Sequence, residues 1–344
     1  MKLIKTQDAI GSVLCHDITQ IIKDVTKDAV FRKGHVVREE DIPVLLSLGK
    51  DNLYVWEAQE GMLHEDEAAK ILYAVCAGEH GEHMHPSGIK EGKIEAIADC
   101  PGLLLVDIEK LRRINSLGEM MIATRHSHFP VRKGNKLAGT RIIPLVIEAE
   151  KMKAVKQIAG DEPILTLKPF HPKKTAVIIT GNEVYYKRIE DTFTPVIVGK
   201  LAEYGSEMTQ HFILADDHVR ITETIRQAIE AGAEMVICTG GMSVDPDDRT
   251  PLAIKNSGAQ IISYGSPVLP GAMFLLAYAA GNIPVMGLPG CVMYAKRTIF
   301  DLILPRILAD VPVTAADLAA LGHGGLCLDC AVCTFPNCGF GKGI

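Results

Sequence analysis

The sequence lacks three features that would point to particular classes of protein. It has no surplus of basic residues, because 36 Lys and Arg stand against 42 Asp and Glu, so an overall positive field for nucleic acid is missing. No apolar stretch approaches about 20 residues, the length of a membrane-spanning helix. The first residues are interrupted by Lys5, Asp8 and Asp17, where a signal peptide would be apolar. We therefore expect a cytoplasmic protein with neither a nucleic-acid nor a membrane partner.

The length of 344 residues predicts two to three domains, since domains cluster at roughly 100–200 residues. No repeat or low-complexity run is present, so boundaries must come from changes of pattern. The pattern predicts an N-terminal segment, a mixed β-rich subdomain, a charged linker with prolines, an α/β domain and a Cys-rich tail. These parts span residues 1–60, 61–150, 151–173, 174–310 and 311–344.

The first half of the sequence predicts short helices and strands in mixed order. A capped helix is expected at 41–49, followed by a strand at 53–56, and the apolar period of Ala68, Ile71, Leu72 and Val75 predicts a helix. Extended segments are expected at 102–107, 119–124 and 141–147.

From Lys174 onward, β-branched runs alternate with amphipathic helical segments. Strands are predicted at 175–180, 207–214, 235–239, 260–263 and 283–287, and helices at 194–204, 220–231 and 294–308. Such alternation indicates a doubly wound, mostly parallel sheet with helices on both faces. Ligands bind beyond the carboxyl ends of the strands in such sheets, so the strand exits are the candidate site.

Four strand exits carry glycines, hydroxyls and carboxylates. Glycine lets the backbone approach a ligand and point N–H donors at an anion, and carboxylates with substrate phosphates suit Mg²⁺. Each exit alone also fits a tight turn or a helix N-cap. The exits are 180–183, 214–217, 238–248 (which includes Asp247) and 287–291.

The ordered motifs resemble a known family. Thr-Gly-Asn-Glu, Arg-Ile-Glu-Asp-Thr, Asp-Asp, Thr-Gly-Gly-Met-Ser-Val, Pro-Gly and Gly-Leu-Pro-Gly, over about 174–309, resemble the molybdopterin-binding domain of molybdopterin molybdenumtransferases and adenylyltransferases. Residues 9–18, 33–37 and 41–46 are similar to the opening of the transferase branch.

The resemblance implies molybdenum cofactor biosynthesis: molybdopterin or its adenylated form is the ligand, molybdate is inserted, and AMP is released with Mg²⁺. It implies a homodimer, with a molybdoenzyme or another cofactor-assembly protein as a further partner. By motif, the catalytic candidates are Glu183, Asp217, Asp245 and Asp248. The ligand-binding candidates are Thr180, Gly181, Asn182, Asp191, Asp216, Thr239, Gly240, Gly241, Met242, Ser243, Pro270, Gly271, Leu288, Pro289 and Gly290.

The sequence departs from the transferase pattern at two turns. The transferases have Pro-Gly-Lys-Pro with a further preceding Lys, whereas Pro270 and Gly271 are followed here by Ala and Met. Cys291 stands where Asn-Pro usually follows the last glycine. Candidate replacement cations are Lys187, Arg188, Arg249, Lys296 and Arg297. The alternative function is therefore a non-catalytic carrier or regulator that holds the cofactor for a molybdoenzyme.

Four cysteines near the end have the spacing C-x2-C-x2-C-x4-C. Close thiols in a reducing compartment favour a metal over disulfides, and Cys327, Cys330, Cys333 and Cys338 suit either an iron–sulfur cluster or Zn²⁺. The alternative is a flexible redox-active tail with free thiols. Cys15, Cys76, Cys100, Cys238 and Cys291 lack ligand spacing and are expected to be small buried hydrophobes.

Two His-containing clusters remain. His80, His83 and His85, with Glu79 and Glu82, fit a solvated loop better than a metal site. Residues 125–128, Arg-His-Ser-His, are a candidate for completing the ligand site.

Overall fold

A computed structural model describes residues 2–22, 26–55, 60–79, 81–243, 245 and 248–343. Trp56, His80 and Asp247, which the sequence predictions include, lie outside the described residues. The strands are β1 Lys2–Lys5, β2 Ile18–Ile22, β3 Thr26–Phe31, β4 Asn52–Val55, β5 Met62–His64, β6 Met84–Pro86, β7 Lys93–Ala98, β8 Gly102–Val106, β9 Met120–Thr124, β10 Phe129–Val131, β11 Lys136–Ile142, β12 Val146–Glu148, β13 Leu165–Pro169, β14 Lys174–Thr180, β15 Glu207–Leu214, β16 Met235–Thr239, β17 Gln260–Tyr264, β18 Leu275–Ala279 and β19 Ile283–Leu288. The helices are α1 Asp41–Ser47, α2 Glu65–Ala77, α3 Ile108–Asn115, α4 Ala149–Ala159, α5 Asn182–Tyr185, α6 Phe193–Ala202, α7 His218–Glu230, α8 Thr250–Asn256, α9 Ile299–Leu308 and α10 Ala315–Ala320.

The chain forms two compact units. The first contains Met1–Cys100, Leu105–Arg125 and Lys133–Leu167, and the second contains Pro101–Leu104, His126–Arg132 and Lys168–Ile344. The residues expected as a linker, 151–173, hold most of α4 and all of β13. Met152, Val155 and Leu165 are buried there, because the apolar positions of this charged stretch pack into folded elements.

In the first unit, a four-stranded antiparallel sheet has the order β6-β7-β11-β9. Helix α2 packs on β7 and β11 and buries Ala68, Leu72 and Val75, three of the four apolar positions that predicted it. The single extended segment expected at 141–147 is wrong. Strand β11 ends at Ile142 and β12 starts at Val146, because Pro144 between them has no N–H for a ladder.

The second unit is built on a six-stranded sheet of order β15-β14-β16-β19-β18-β17. The pairings from β15 to β19 are parallel, while β18 and β17 are antiparallel. This confirms the predicted mostly parallel sheet. Strand β18 was not predicted, because Leu275–Ala279 follows a turn inside an apolar stretch that has no period of its own.

Both faces of this sheet are covered, since successive side chains of a strand point to opposite faces. Val177 and Ile179 of β14 join the core that contains α6 and α9 residues, whereas Ala176 and Ile178 join the core that contains α7 and α8 residues. Helix α9 starts at Ile299, later than predicted, because Thr298 caps it by accepting a hydrogen bond from the Phe300 N–H. The carboxyl ends of β14, β16 and β19 therefore share one edge of a doubly wound sheet.

Candidate ligand-binding site

The exits of β14 and β16 are packed backbone against backbone. A Cβ on Gly240 would lie 1.9 Å from the Thr180 carbonyl oxygen, and Gly240 has a φ of +83°. The Thr180 hydroxyl lies 3.1 Å from the Thr239 carbonyl oxygen and 3.0 Å from the Thr250 hydroxyl. Thr180 and Thr239 are thus buried residues that join the two strands.

Beyond this edge lies a cavity of about 700 Å³, which we call the sheet-edge pocket. It is lined by three turns: the glycine turn 240–243 with Asp245 and Asp248, the turn 269–273, and the turn 289–291 after β19. Phe193, Met293, Tyr294, Leu326 and Cys327 complete the lining. The structure therefore brings together ten predicted residues, which are Gly240, Gly241, Met242, Ser243, Asp245, Asp248, Pro270, Gly271, Pro289 and Gly290.

Two glycines near the sheet-edge pocket pack closely against side chains. A Cβ on Gly271, which has a φ of +136°, would lie 2.5 Å from Ile299 Cγ2. A Cβ on Gly287, at the end of β19, would lie 2.5 Å from Met242 Cε, so the Met242 side chain covers this strand. These contacts fix the glycine turn and the Pro-Gly turn on the sheet edge.

The two carboxylates of the pocket belong to one tight turn. The Asp245 N–H donates to the Asp248 carboxylate at 3.1 Å, and the Asp248 N–H donates to the Asp245 carbonyl at 2.9 Å. The Tyr264 hydroxyl donates to the Met242 carbonyl at 3.0 Å, and burial together with the Asp248 charge raises the pKa of Tyr264. This phenol therefore stays neutral and holds the glycine turn in place.

Six of the other predicted polar residues have structural partners outside the pocket. Asp217 caps α7 by accepting from the Val219 N–H at 2.9 Å, and Asp191, which precedes the N-cap of α6, accepts from the Phe193 N–H of its first turn at 2.9 Å. The Asn182 N–H donates to the Asp216 carboxylate at 2.9 Å, which joins the exits of β14 and β15. Thr180 and Thr239 complete this set.

The remaining predicted residues also lie outside the lining. Glu183 is exposed on α5, Gly181 precedes that helix, and Leu288 is fully buried at the end of β19. The catalytic assignments of Glu183 and Asp217 therefore depend on the resemblance alone, whereas Asp245 and Asp248 face the pocket.

The charged side chains described in the lining of the sheet-edge pocket are all acidic. Among the described residues that line it, Asp245 and Asp248 are charged and no Lys, Arg or His is present. The candidate replacement cations do not lie in this lining, and Arg297 pairs instead with Asp301 at 2.8 Å and Glu203 at 3.0 Å. A polyanionic ligand would thus meet carboxylates and backbone N–H groups, and it needs a cation that the lining does not supply.

Sequence reasoning did not assign Cys291, Leu326 or Cys327 to the ligand site, although all three line the pocket. Leu326 and Cys327 come from the C-terminal segment, where Cys327 was predicted only as a metal ligand. Cys291 lies in the fourth strand exit but was expected to be a buried hydrophobe. Cys15, Cys76 and Cys238 are indeed buried, while Cys100 and Cys291 are half-buried. Burial raises the pKa of the Cys291 thiol, so it faces the pocket as a neutral group.

The His-containing clusters lie elsewhere. His85 Nδ1 lies 2.6 Å from the Asp99 carboxylate on the exposed surface. His126 stacks edge-on against Phe129 with ring centroids 5.8 Å apart, and burial lowers the pKa of His128. None of residues 126–128 lines the sheet-edge pocket.

The fold and the site define a class of protein: a doubly wound α/β domain with glycine turns and carboxylates at the carboxyl edge of its sheet. Residues 176–309 match the model of the family described as "Probable molybdopterin binding domain". The second unit thus contains a domain related to molybdenum cofactor biosynthesis proteins. Residues 3–57 match a different family, a domain of unknown function (DUF8806).

Curated relatives are similar over short regions. A molybdenum cofactor biosynthesis bifunctional protein of Synechococcus elongatus is 32% identical over 83 residues, which are 24% of this chain and 26% of that protein. A CinA-like protein of Mycobacterium tuberculosis is 31% identical over 77 residues, 22% of this chain and 18% of that protein. The chain thus spans about a quarter or less of these two relatives.

Among solved structures, the molybdopterin biosynthesis enzyme MoaB of Thermus thermophilus superposes with a TM-score of 0.35 and 17% identity. The superposition covers 42% of this chain and 97% of that one. Within the part of the chain that the structure describes, none of the helices combines the length and hydrophobicity that a bilayer crossing requires.

Proposed function

We propose that the second unit binds molybdopterin or its adenylated form in the sheet-edge pocket, as part of molybdenum cofactor biosynthesis. The observation that carries this proposal is the meeting of three family motifs, the Gly240 turn, the Pro270 turn and the Pro289 turn, around one cavity of about 700 Å³. A cavity of this size lies within the range of small-molecule sites, about 300–1,000 Å³.

Mg²⁺ is part of the proposal because the donor set fits it. Asp245 and Asp248 would hold the ion, since Mg²⁺ takes one or two carboxylates together with phosphate oxygens. When bound, it would neutralise phosphate charge. The backbone N–H groups of Gly240 and Gly241 would orient the phosphate, while Met242 and Tyr294 would shield the ring system from water.

The finer activity proposed for this site is insertion of molybdate with release of AMP. A second candidate, the non-catalytic carrier or regulator, is favoured by the absence of Lys, Arg and His among the described lining residues, because molybdate is itself an anion. A homodimer, a cytoplasmic location and a molybdoenzyme or assembly-protein partner complete the proposal.

One experiment tests binding and separates the two activities. The reduced protein is incubated anaerobically with adenylated molybdopterin, molybdate and Mg²⁺; bound pterin is measured by fluorescence after oxidation, and AMP by chromatography. Binding with AMP release supports the transferase, binding without AMP selects the carrier, and no binding overturns the proposed function.

Two matched glycine variants test whether the pterin binds in the sheet-edge pocket. Neither Gly290 nor Gly88 has a positive φ, and a Cβ at either position would meet no atom within 4 Å, so both tolerate a side chain. Gly290 lines the sheet-edge pocket and Gly88 does not. Gly290→Leu should weaken pterin binding at least about tenfold, or 1.4 kcal/mol, and Gly88→Leu should leave it unchanged.

A further inference from the structure

The Cys-rich end of the chain is attached to the sheet-edge pocket by its backbone. We call residues 324–343 the cysteine segment. The Leu269 N–H donates to the Gly325 carbonyl at 2.8 Å, and the Cys327 N–H donates to the Leu269 carbonyl at 2.8 Å, so Leu326 pairs with Leu269 as a parallel bridge. The segment thus begins as an extension of the turn that holds Pro270.

Both ends of the cysteine segment are tightly packed. A Cβ on Gly325 would lie 2.4 Å from the Leu321 carbonyl oxygen, and a Cβ on Gly341 would lie 2.4 Å from Leu302 Cδ2. Phe340 is 5% exposed and belongs to the core that covers the sheet, and Cys327 and Cys338 pack against the same core. The first and last cysteines therefore have fixed positions.

Between these anchors, the four cysteines line one cavity. Cys327, Cys330, Cys333 and Cys338 all line a cavity of about 430 Å³, and Cys330 and Cys333 are exposed. The middle of the segment is held from outside itself, by Lys296 Nζ, which donates to the Cys330 carbonyl at 2.8 Å and to the Ala331 carbonyl at 3.3 Å.

The charges around this second cavity suit a thiolate centre. Four thiolates around one divalent ion carry a net charge of about −2, which needs nearby cations. Lys296 and Arg297 line the cavity together with one acid, Asp329, whose carboxylate lies 3.9 Å from Lys296 Nζ. Arg297 also bonds Asp301 and Glu203, so it is fixed beside the thiols.

We propose that Cys327, Cys330, Cys333 and Cys338 bind one thiophilic metal centre, with a fourfold thiolate ligand set that fits Zn²⁺ or an iron–sulfur cluster. Within the described residues, no three His, Cys, Asp or Glu side chains already converge as metal ligands. Metal binding therefore draws the exposed Cys330 and Cys333 toward the anchored Cys327 and Cys338, as expected where binding and local folding are coupled.

This centre adjoins the proposed ligand site without depending on it. Leu326 and Cys327 line both cavities, so ordering of the cysteine segment also orders one wall of the sheet-edge pocket. The proposal is tested with metal alone, and its outcome does not change with the identity of the pocket's ligand.

The test uses the full chain, reduced and stripped with a chelator, and titrates Zn²⁺ against a chromophoric competitor. We expect about one Zn²⁺ per chain, with Cys330→Ser/Cys333→Ser weakening the affinity at least about 100-fold, because half of the ligands are lost. The control is Cys100→Ser, which removes a half-buried thiol that lines neither this cavity nor the sheet-edge pocket and should bind Zn²⁺ like the parent chain.

A second experiment distinguishes Zn²⁺ from an iron–sulfur cluster. Protein purified anaerobically from iron-supplemented cells is analysed for iron, acid-labile sulfide and visible absorption, and hydrogen exchange of 328–334 is compared with and without metal. Iron with sulfide assigns the cluster, and tight Zn²⁺ alone assigns zinc. The proposal is overturned if Cys330→Ser/Cys333→Ser, folded with an unchanged Tm in the metal-free state, binds Zn²⁺ and iron as well as the parent chain.

Discussion

At the residue scale, Gly240 is the tightest point of the candidate site, because its Cα lies against the Thr180 backbone. Gly240→Ala adds a methyl group 1.9 Å from the Thr180 carbonyl oxygen and forces the glycine turn to move. We expect a loss of about 1–2 kcal/mol from the left-handed backbone and of about 1–3 kcal/mol more from overpacking. Urea unfolding of the variant measures the sum.

The control for this prediction is Gly232→Ala. Gly232 has a φ of +93° and nothing within 4 Å of its Cβ position, so this variant should show the backbone cost alone. Equal destabilisation of the two variants would mean that the Thr180 contact does not constrain the turn.

Burial of Glu65, at the start of α2, makes the free energy of unfolding depend on pH. It is 8% exposed, and desolvation, followed by the Asp66 charge, raises the pKa of Glu65 from 4.5 to about 7. Above pH 4.5 the unfolded chain loses this proton while the folded chain keeps it, so the free energy of unfolding falls as pH rises to about 7 and is then constant.

We predict that Glu65→Gln makes the fall in unfolding free energy with rising pH smaller by about 1–3 kcal/mol, because one pKa unit corresponds to about 1.4 kcal/mol. The measurement is the urea unfolding free energy at pH 5 and pH 8. The exposed Glu162→Gln variant should keep the parent pH dependence, and a Glu65→Gln variant that does the same would contradict the assignment.

At the scale of elements, α9 depends on one carboxylate. Asp301 is 4% exposed, its oxygens lie 2.6 Å from Lys200 Nζ and 2.8 Å from the Arg297 guanidinium, and it accepts from the Thr298 N–H at 2.7 Å. Asp301→Ala leaves two cations without this partner and opens the capping box. We expect a loss of about 3–5 kcal/mol of unfolding free energy, measured by chemical denaturation.

Glu67→Ala provides the comparison, because Glu67 is the matching capping-box residue of α2 and is exposed. Losing a cap without burying a charge costs about 1 kcal/mol. If Asp301→Ala costs no more than Glu67→Ala, the buried ion pairs do not contribute to the stability of α9.

Elements were predictable where the local pattern is strong. The strands expected at 207–214 and 235–239 match β15 and β16 to the residue. Strand β16 is an apolar run that is buried throughout, as a parallel strand covered on both faces requires. Strand β15 lies at the sheet edge, and its side chains alternate between exposed and half-buried. Helix α9 was predicted to start five residues early, since its start is set by Thr298 and Asp301, whose capping bonds are not visible as periodicity.

At the scale of the whole molecule, the cysteine segment is part of the second unit. Phe340 lies in the same core as residues of β14 and α9. Phe340→Ala should therefore destabilise the second unit by about 3–5 kcal/mol and lower its Tm. Leu328→Ala, at a position that is 79% exposed, should change its stability by less than about 0.5 kcal/mol.

These two variants are compared by calorimetry of the metal-free chain, so that metal binding does not contribute. If the cysteine segment were an independent tail, the main transition of the Phe340→Ala variant would coincide with that of the parent.

The sequence by itself determined the fold class of the second unit and the resemblance of its site motifs to a molybdopterin-binding domain. Strand and turn signals are local, so they place Gly240, Gly241 and Gly290 at one sheet edge, whereas Pro270 was assigned to the site by the family resemblance alone. The pocket's carboxylates Asp245 and Asp248 followed from the same reasoning.

Only the tertiary structure decided which polar residues face the pocket and which hold strands and helices together. The sequence predicted that Asp191, Asp216 and Asp217 are site residues. Their hydrogen bonds instead hold helix starts or join strands, because a carboxylate that follows a strand can equally serve as a helix N-cap. The structure also placed Leu326 and Cys327 in the pocket lining. Leu326 pairs with Leu269, which lies more than fifty positions earlier in the chain. A contact between residues so far apart leaves no signal in the local sequence pattern.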